Sequence, residues 1–123
     1  MAHSFCHLEL ATPDLAKAKA FYGEMFGWSF TDNDMGPMGI YSTFKPGNGA
    51  GGGMYQMPGA PPAWLAYVAV DDIDEATEKA KANGATVTRD VTEIPHVGWM
   101  SILVDPTGAV IAGFEPARGG PPM

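Results

Sequence analysis

Residues 5–28 read FCHLELATPDLAKAKAFYGEMFGW, and two changes of pattern within them decide the fold. Side chains alternate across a strand, so Phe5 to Leu10 sets Phe5, His7 and Glu9 on one face and Cys6, Leu8 and Leu10 on the other, which reads as the core face. Thr12 then offers a capping oxygen, and Pro13 has its φ preset for a first helical position. Leu15, Ala18, Phe21, Tyr22 and Met25 recur at helical spacing until Gly27 ends the run. Trp28–Thr31, Ile40–Phe44 and the glycine-rich Gly53–Met57 follow as short strands, separated by turn-forming residues over 32–39 and 45–52.

The second half repeats this order. PGAPP at 58–62 can continue neither a strand nor a helix, because its prolines lack amide donors and restrict the residues before them. Beyond it Trp64–Val70 reads as a strand. A helix follows from about Asp72, with Glu75 at the capping-box position, an apolar stripe of Ile73, Ala76 and Ala80, and Gly84 at its end. Strands at Thr86–Arg89, Trp99–Val104 and Ala109–Phe114 complete the half, the last two joined by the turn DPTG at 105–108. The expectation is one domain over 1–123, with module one at about 3–57, the connector at 58–62, module two at about 63–115 and a loose tail at 116–123. Two βαβββ modules make an α+β fold. One helix covers one face of each four-stranded unit, so the uncovered faces are expected to curve into an open, cup-like eight-stranded mixed sheet with the helices outside.

Composition narrows the function. The net charge of -7 repels phosphate backbones and anionic membrane surfaces, which argues against nucleic acid and membrane partners. A single cysteine, Cys6, allows no internal disulfide, and the N-terminal residues lack a basic segment followed by an apolar run, so a cytoplasmic location is expected. With 16 glycines and 11 prolines the chain is rich in turns. GNGAGGG at 47–53 lacks the lysine and the following Ser/Thr of a phosphate loop, and reads as a flexible turn. Asp71, Asp72 and Asp74 lack the spacing of a calcium loop and are accounted for by helix capping.

The runs ELATPDLAKAKAFYGEMFGW, VDDIDEATEKAKANGA and DPTGAVIAGFE, together with the paired repeat, resemble the vicinal oxygen chelate superfamily, which includes glyoxalase I, bleomycin-resistance proteins and extradiol dioxygenases. The likeness runs from about Phe5 to Glu115 and is closest to a glyoxalase-like group. It implies a metal held in enzyme members by four side chains on the first and last strands of the modules. By position these fall near Phe5, Gly53, Leu65 and Ala112, none of which carries a nitrogen, oxygen or thiolate side-chain donor. No cofactor is therefore expected, and a displaced divalent metal is disfavoured. The resemblance also admits a homodimer.

Strand alternation still points His7 and Glu9 inward beside Phe5, and Tyr67 beside Leu65. Two readings of His7 stand side by side. It hydrogen-bonds Tyr67 or a backbone carbonyl while Glu9 sits at the wet rim, or it acts with Glu9 as a general base or as a donor to a substrate carbonyl. Phe5, Tyr55, Trp64, Tyr67, Trp99 and Phe114 are candidate ligand-binding aromatics, with core packing as the competing role. His96, in IPHVGW, is either a lid residue or a solvated loop histidine. The expected function is binding of a small organic molecule in the cup without the usual metal. The alternative is a lyase, isomerase or dioxygenase that uses His7 and Glu9.

Overall fold

The computed structural model describes residues 3–117. Positions 118–123 of the expected tail lie outside the described residues. The elements are β1 (Phe5–Thr12), α1 (Leu15–Phe26), β2 (Phe30–Asp34), β3 (Ile40–Phe44), β4 (Gly51–Gln56), β5 (Ala63–Ala69), α2 (Ile73–Ala82), β6 (Thr86–Ile94), β7 (Gly98–Val104) and β8 (Val110–Pro116). Both halves are thus βαβββ, and the fold is α+β with strands of mixed direction. Contacts divide the chain into two compact units, His7–Trp64 and the residues from Leu65 onward together with those up to Cys6. Among the described residues no helix is long and apolar enough to cross a membrane.

In the unit His7–Trp64 the strand order is β2-β3-β4-β1, antiparallel except for the parallel pair β1/β4. Leu10, Phe44 and Met54 form its buried core, and Leu15, Ala18 and Tyr22 of α1 pack on them with Trp28 and Phe30. Leu8, expected in this core, remains 39% exposed outside the cluster. The helix starts later than Thr12 suggests: Asp14 is the N-cap, its carboxylate accepting from the Lys17 amide at 3.0 Å. Thr12 is unavailable because its carbonyl still accepts from Met57 N at the end of β1, while its hydroxyl accepts from Asp14 N. Gly27 ends the helix as expected, at φ 70°.

Two strands are displaced from the sequence reading, each for a packing reason. Trp28 does not join β2, because its ring stacks on Tyr22 at 5.6 Å and on Phe44 at 4.6 Å. Asp32, expected in a turn, is tolerated within β2 because its carboxylate receives Lys19 Nζ at 2.8 Å and the hydroxyl of the fully buried Ser42. β4 begins at Gly51 rather than Gly53, so Gly51 and Gly52, read as part of a turn, are strand residues. Glycine in a strand marks a close approach. A Cβ on Gly52 would collide with the Phe44 ring on one face, and a Cβ on Gly53 with the Tyr41 ring on the other.

The second unit orders its strands β5-β8-β7-β6, with β5/β8 parallel. Tyr67, Met100, Ala112 and Phe114 are its core. Asp72 caps α2 by accepting from Glu75 N at 3.0 Å, as expected, and Glu115 accepts from Ile73 N at 2.9 Å. The hydroxyls of Thr77 and Ser101, both buried, lie 2.9 Å apart, and Thr77 also donates to Ile73 O. The DPTG turn is closed by Asp105, whose carboxylate accepts from the Thr107 hydroxyl and from the amides of Thr107 and Ala109. β6 runs well past Arg89, with register shifts on either side of that residue. The expected tail also begins later, since Pro116 closes β8 and Ala117 N donates to Val97 O at 2.9 Å.

Between β6 and β7, Val97 N donates to Ile94 O across a turn with Pro95 at its second position and His96 at φ 66°. This geometry normally takes glycine at the third position. His96→Gly is expected to stabilise the chain by about 1 kcal/mol after allowing for glycine's extra freedom when unfolded, raising the Tm by roughly 4 °C. Differential scanning calorimetry checks this, and an unchanged or lower Tm would show that the turn carries no strain.

Candidate functional site

The face of the unit His7–Trp64 opposite to its core carries the alternate residues of the same strands. Register places Glu9 beside Gly53, Gly53 beside Thr43, and Tyr55 beside Tyr41. Because Gly53 has no side chain, the Tyr41 ring lies across it and reaches β1. There the Tyr41 hydroxyl donates to Glu9 Oε2 at 2.8 Å and lies 2.7 Å from His7 Nε2. The backbone under Tyr41 is fixed by Asn33, whose amide nitrogen donates to Tyr41 O at 2.9 Å and to Thr31 O at 3.1 Å. Tyr55 stacks beside Tyr41, with ring centroids 6.4 Å apart and planes 26° apart.

The hydrogens in this line can be assigned. His7 is 3% exposed, and burial pushes its pKa down to about 4, so the ring is neutral at pH 7. A phenol has one hydrogen, and Tyr41 gives it to Glu9. The 2.7 Å contact is then His7 Nε2–H donating to the Tyr41 oxygen, which fixes the tautomer with its hydrogen on Nε2.

The sequence-predicted residues fall in several settings. His7, Glu9 and Tyr55 come together around Tyr41, which sequence reasoning did not single out. Trp64, 42% exposed, packs edge-on against Tyr22 and Phe44 on the core side of its unit. Phe5 is 63% exposed. Tyr67 and Phe114 are buried in the core of the second unit, and Trp99 is half-buried outside that cluster, opposite Glu93 and Glu115 in the ladder. His96 is exposed on its turn. Cys6 Sγ donates weakly to Tyr67 O, and burial pushes its thiol pKa up, so it is a poor nucleophile.

Two other features bear on where chemistry can sit. A space of about 120 Å³ lies between α2 and its sheet, walled by Val68, Ile73, Leu103 and Ile111. It is almost wholly apolar, and the hydroxyls of Thr77 and Ser101 on its lining bond each other, so it is interlayer packing space. A catalytic zinc-type site takes three protein ligands. His7 and Glu9 supply two donors with a phenol between them, and among the described residues no three His, Cys, Asp or Glu side chains converge. The four positions implied by the resemblance add none: Phe5 is exposed, Gly53 lies under Tyr41, Leu65 packs on the second core and Ala112 is buried within it.

The chain is 36% identical over 117 residues to CFP32 of Mycobacterium bovis, a protein provisionally named a glyoxylase, covering 90% of this chain and 45% of that one. It is 28% identical over 127 residues to the anthracycline biosynthesis protein DnrV of Streptomyces peucetius, covering 85% and 44% respectively. The chain therefore spans about half the length of these relatives. Among solved structures it resembles the methylmalonyl-CoA epimerase of Mycobacterium tuberculosis, with a TM-score of 0.71 and 17% identity over 93% of this chain and 88% of that one, a likeness of fold. Residues 4–112 match the model of the Glyoxalase/Bleomycin resistance protein/Dioxygenase superfamily, and the chain belongs to that superfamily.

Proposed function

We propose that the protein binds a small organic molecule against the polar face around Tyr41 and does so without a chelated metal. The observation that carries this is the line His7–Tyr41–Glu9: a phenol occupies the place over Gly53 that the superfamily resemblance gives to a metal ligand, and it ties up the one imidazole and one carboxylate nearby. Its ring and that of Tyr55 offer an aromatic surface next to a polar edge, the mixture that small-molecule sites use. The names of the relatives suggest which compounds to try.

The test is calorimetric titration of the chain with three probes: the hemithioacetal of methylglyoxal and glutathione, an anthracycline aglycone, and methylmalonyl-CoA. Saturable binding of at least one is expected, weakened about tenfold by Tyr41→Phe, since a lost hydrogen bond in a site is worth about 1.4 kcal/mol. Binding of none, or affinity indifferent to Tyr41→Phe, overturns the proposal. A second reading, lyase, isomerase or oxygenase chemistry using His7 and Glu9, draws on the same hydrogen-bonded line, which can hold or pass a proton. Stoichiometric divalent metal in tag-free protein, lost in His7→Ala, would favour its metal-dependent form over the metal-free site.

A further inference from the structure

We propose that the packing space between α2 and its sheet is itself a binding site, for a small neutral apolar molecule up to about the size of benzene. The internal repeat shows how the space arises. Register gives the two units equivalent positions: Met54 on β4 pairs with Leu10 and Ser42, and Gly113 on β8 pairs with Val68 and Ser101. Two residues beyond the serine, β3 carries Phe44 and β7 carries Leu103. Seven residues into the helix, α1 carries Tyr22 and α2 carries Ala80. In the first unit Met54 is fully buried in a core with Phe44, and Tyr22 packs on them. The second unit has a smaller side chain at all three positions, and about 120 Å³ is left beside Ile73 and Ala76. Gly113 is outside the left-handed region, so the backbone does not demand glycine there, and a Cβ would approach only the Ile73 side-chain tip, at 3.0 Å, and the Ser101 hydroxyl, at 3.9 Å.

The lining selects apolar guests. Thr77 gives its hydroxyl hydrogen to Ile73 O at 2.6 Å, so the 2.9 Å contact with Ser101 is Ser101 donating to Thr77. Both hydroxyl hydrogens are spent within the wall. A polar guest would bury an acceptor with no donor to meet it, whereas an apolar one exchanges water for the side chains of Val68, Val70, Leu103 and Ile111. An engineered apolar cavity of about 150 Å³ takes benzene or xenon. The 120 Å³ here admits xenon readily and benzene as an upper size. The site shares no residue with the face around Tyr41 and stands or falls apart from it.

The test follows the methyl resonances of the full chain by NMR during titration with benzene, with its isostere pyridine, and under xenon pressure. Saturable shifts at Val68, Ile73, Leu103 and Ile111 are expected with benzene and xenon, and pyridine should bind at least about tenfold more weakly. Two substitutions fill the space, Leu103→Phe from the sheet, with the ring that Phe44 gives the first unit, and Ala76→Leu from the helix. Each filler that melts cooperatively should weaken benzene binding at least about tenfold. Val68→Ala, which enlarges the space, should bind benzene at least as tightly as wild type. The site is overturned by no saturable shift with either apolar probe, by shifts centred on other methyls, by pyridine binding as well as benzene, or by undiminished binding in a folded filler. If neither filler melts cooperatively, Val68→Ala decides, and weaker binding there than in wild type overturns the site.

Discussion

A Gly53→Ala variant is expected to lose about 2–6 kcal/mol of stability and the whole of its ligand binding. The added methyl would fall inside the Tyr41 ring. The ring cannot move aside within the sheet without leaving His7 and Glu9, which it touches through one oxygen at 2.7 and 2.8 Å. Overpacking by one methyl costs about 1–3 kcal/mol. Leaving the Nε2–H of a nearly fully buried imidazole without its acceptor costs roughly 1–3 kcal/mol more. A double-mutant cycle separates the terms: in a Tyr41→Ala background the ring is gone, so Gly53→Ala should cost under about 1 kcal/mol, a coupling of at least about 1 kcal/mol. Urea denaturation of the four proteins checks this. Equal costs in both backgrounds would show that Gly53 is needed for the strand's own backbone and not for the passage of Tyr41.

The same residue marks how far the sequence could be read. Period-two alternation put His7 and Glu9 on one face, and the structure keeps them there, because alternation is a property of the strand itself. Asp72 and Gly27 could be identified for the same reason, since caps depend on a few adjacent residues. Tyr41 could not, because its neighbours His7 and Glu9 are more than 30 positions away. The contact exists only once β3 pairs with β4 and β4 with β1 in one register. A signal was nevertheless present. Three glycines inside an otherwise strand-forming run, after a strand with Tyr41 and Phe44 at odd spacing, fit rings lying on opposite faces of the glycine strand. Reading 47–53 as a flexible turn discarded that signal, and with it the residue that fills the space left near Gly53. Asp32 and Trp28 shifted β2 for an analogous reason: an ion pair and an aromatic stack formed between elements outweigh local turn and strand preference.

Stability is expected to fall as the pH drops from about 6.5 to about 4, by roughly 3 kcal/mol attributable to His7 alone. Its ordinary pKa of 6.5 is lowered to about 4 in the folded chain because burial disfavours the imidazolium. Above 6.5 neither state carries the proton, so the contribution is constant. Below 6.5 the unfolded chain takes up a proton that the folded chain refuses, and stability declines by about 1.4 kcal/mol per pH unit until the folded ring titrates. Asp32, held below the usual carboxylate range by Lys19 and then Ser42, and Asp105, held there by the Thr107 hydroxyl and the turn amides, lose their contributions only at lower pH. The span from 6.5 to about 4.5 thus reports His7 when wild type is compared with His7→Gln by urea denaturation. The wild-type curve should fall by about 2–3 kcal/mol more than the variant's, and the imidazole resonance of His7 should titrate near 4 by NMR. Parallel curves with a resonance titrating near 6.5 would mean that His7 is solvated and able to charge. The same neutrality keeps the His7 ring uncharged throughout the neutral range, so the hydrogen-bonded line His7–Tyr41–Glu9 is expected to stay unchanged between pH 6 and 8.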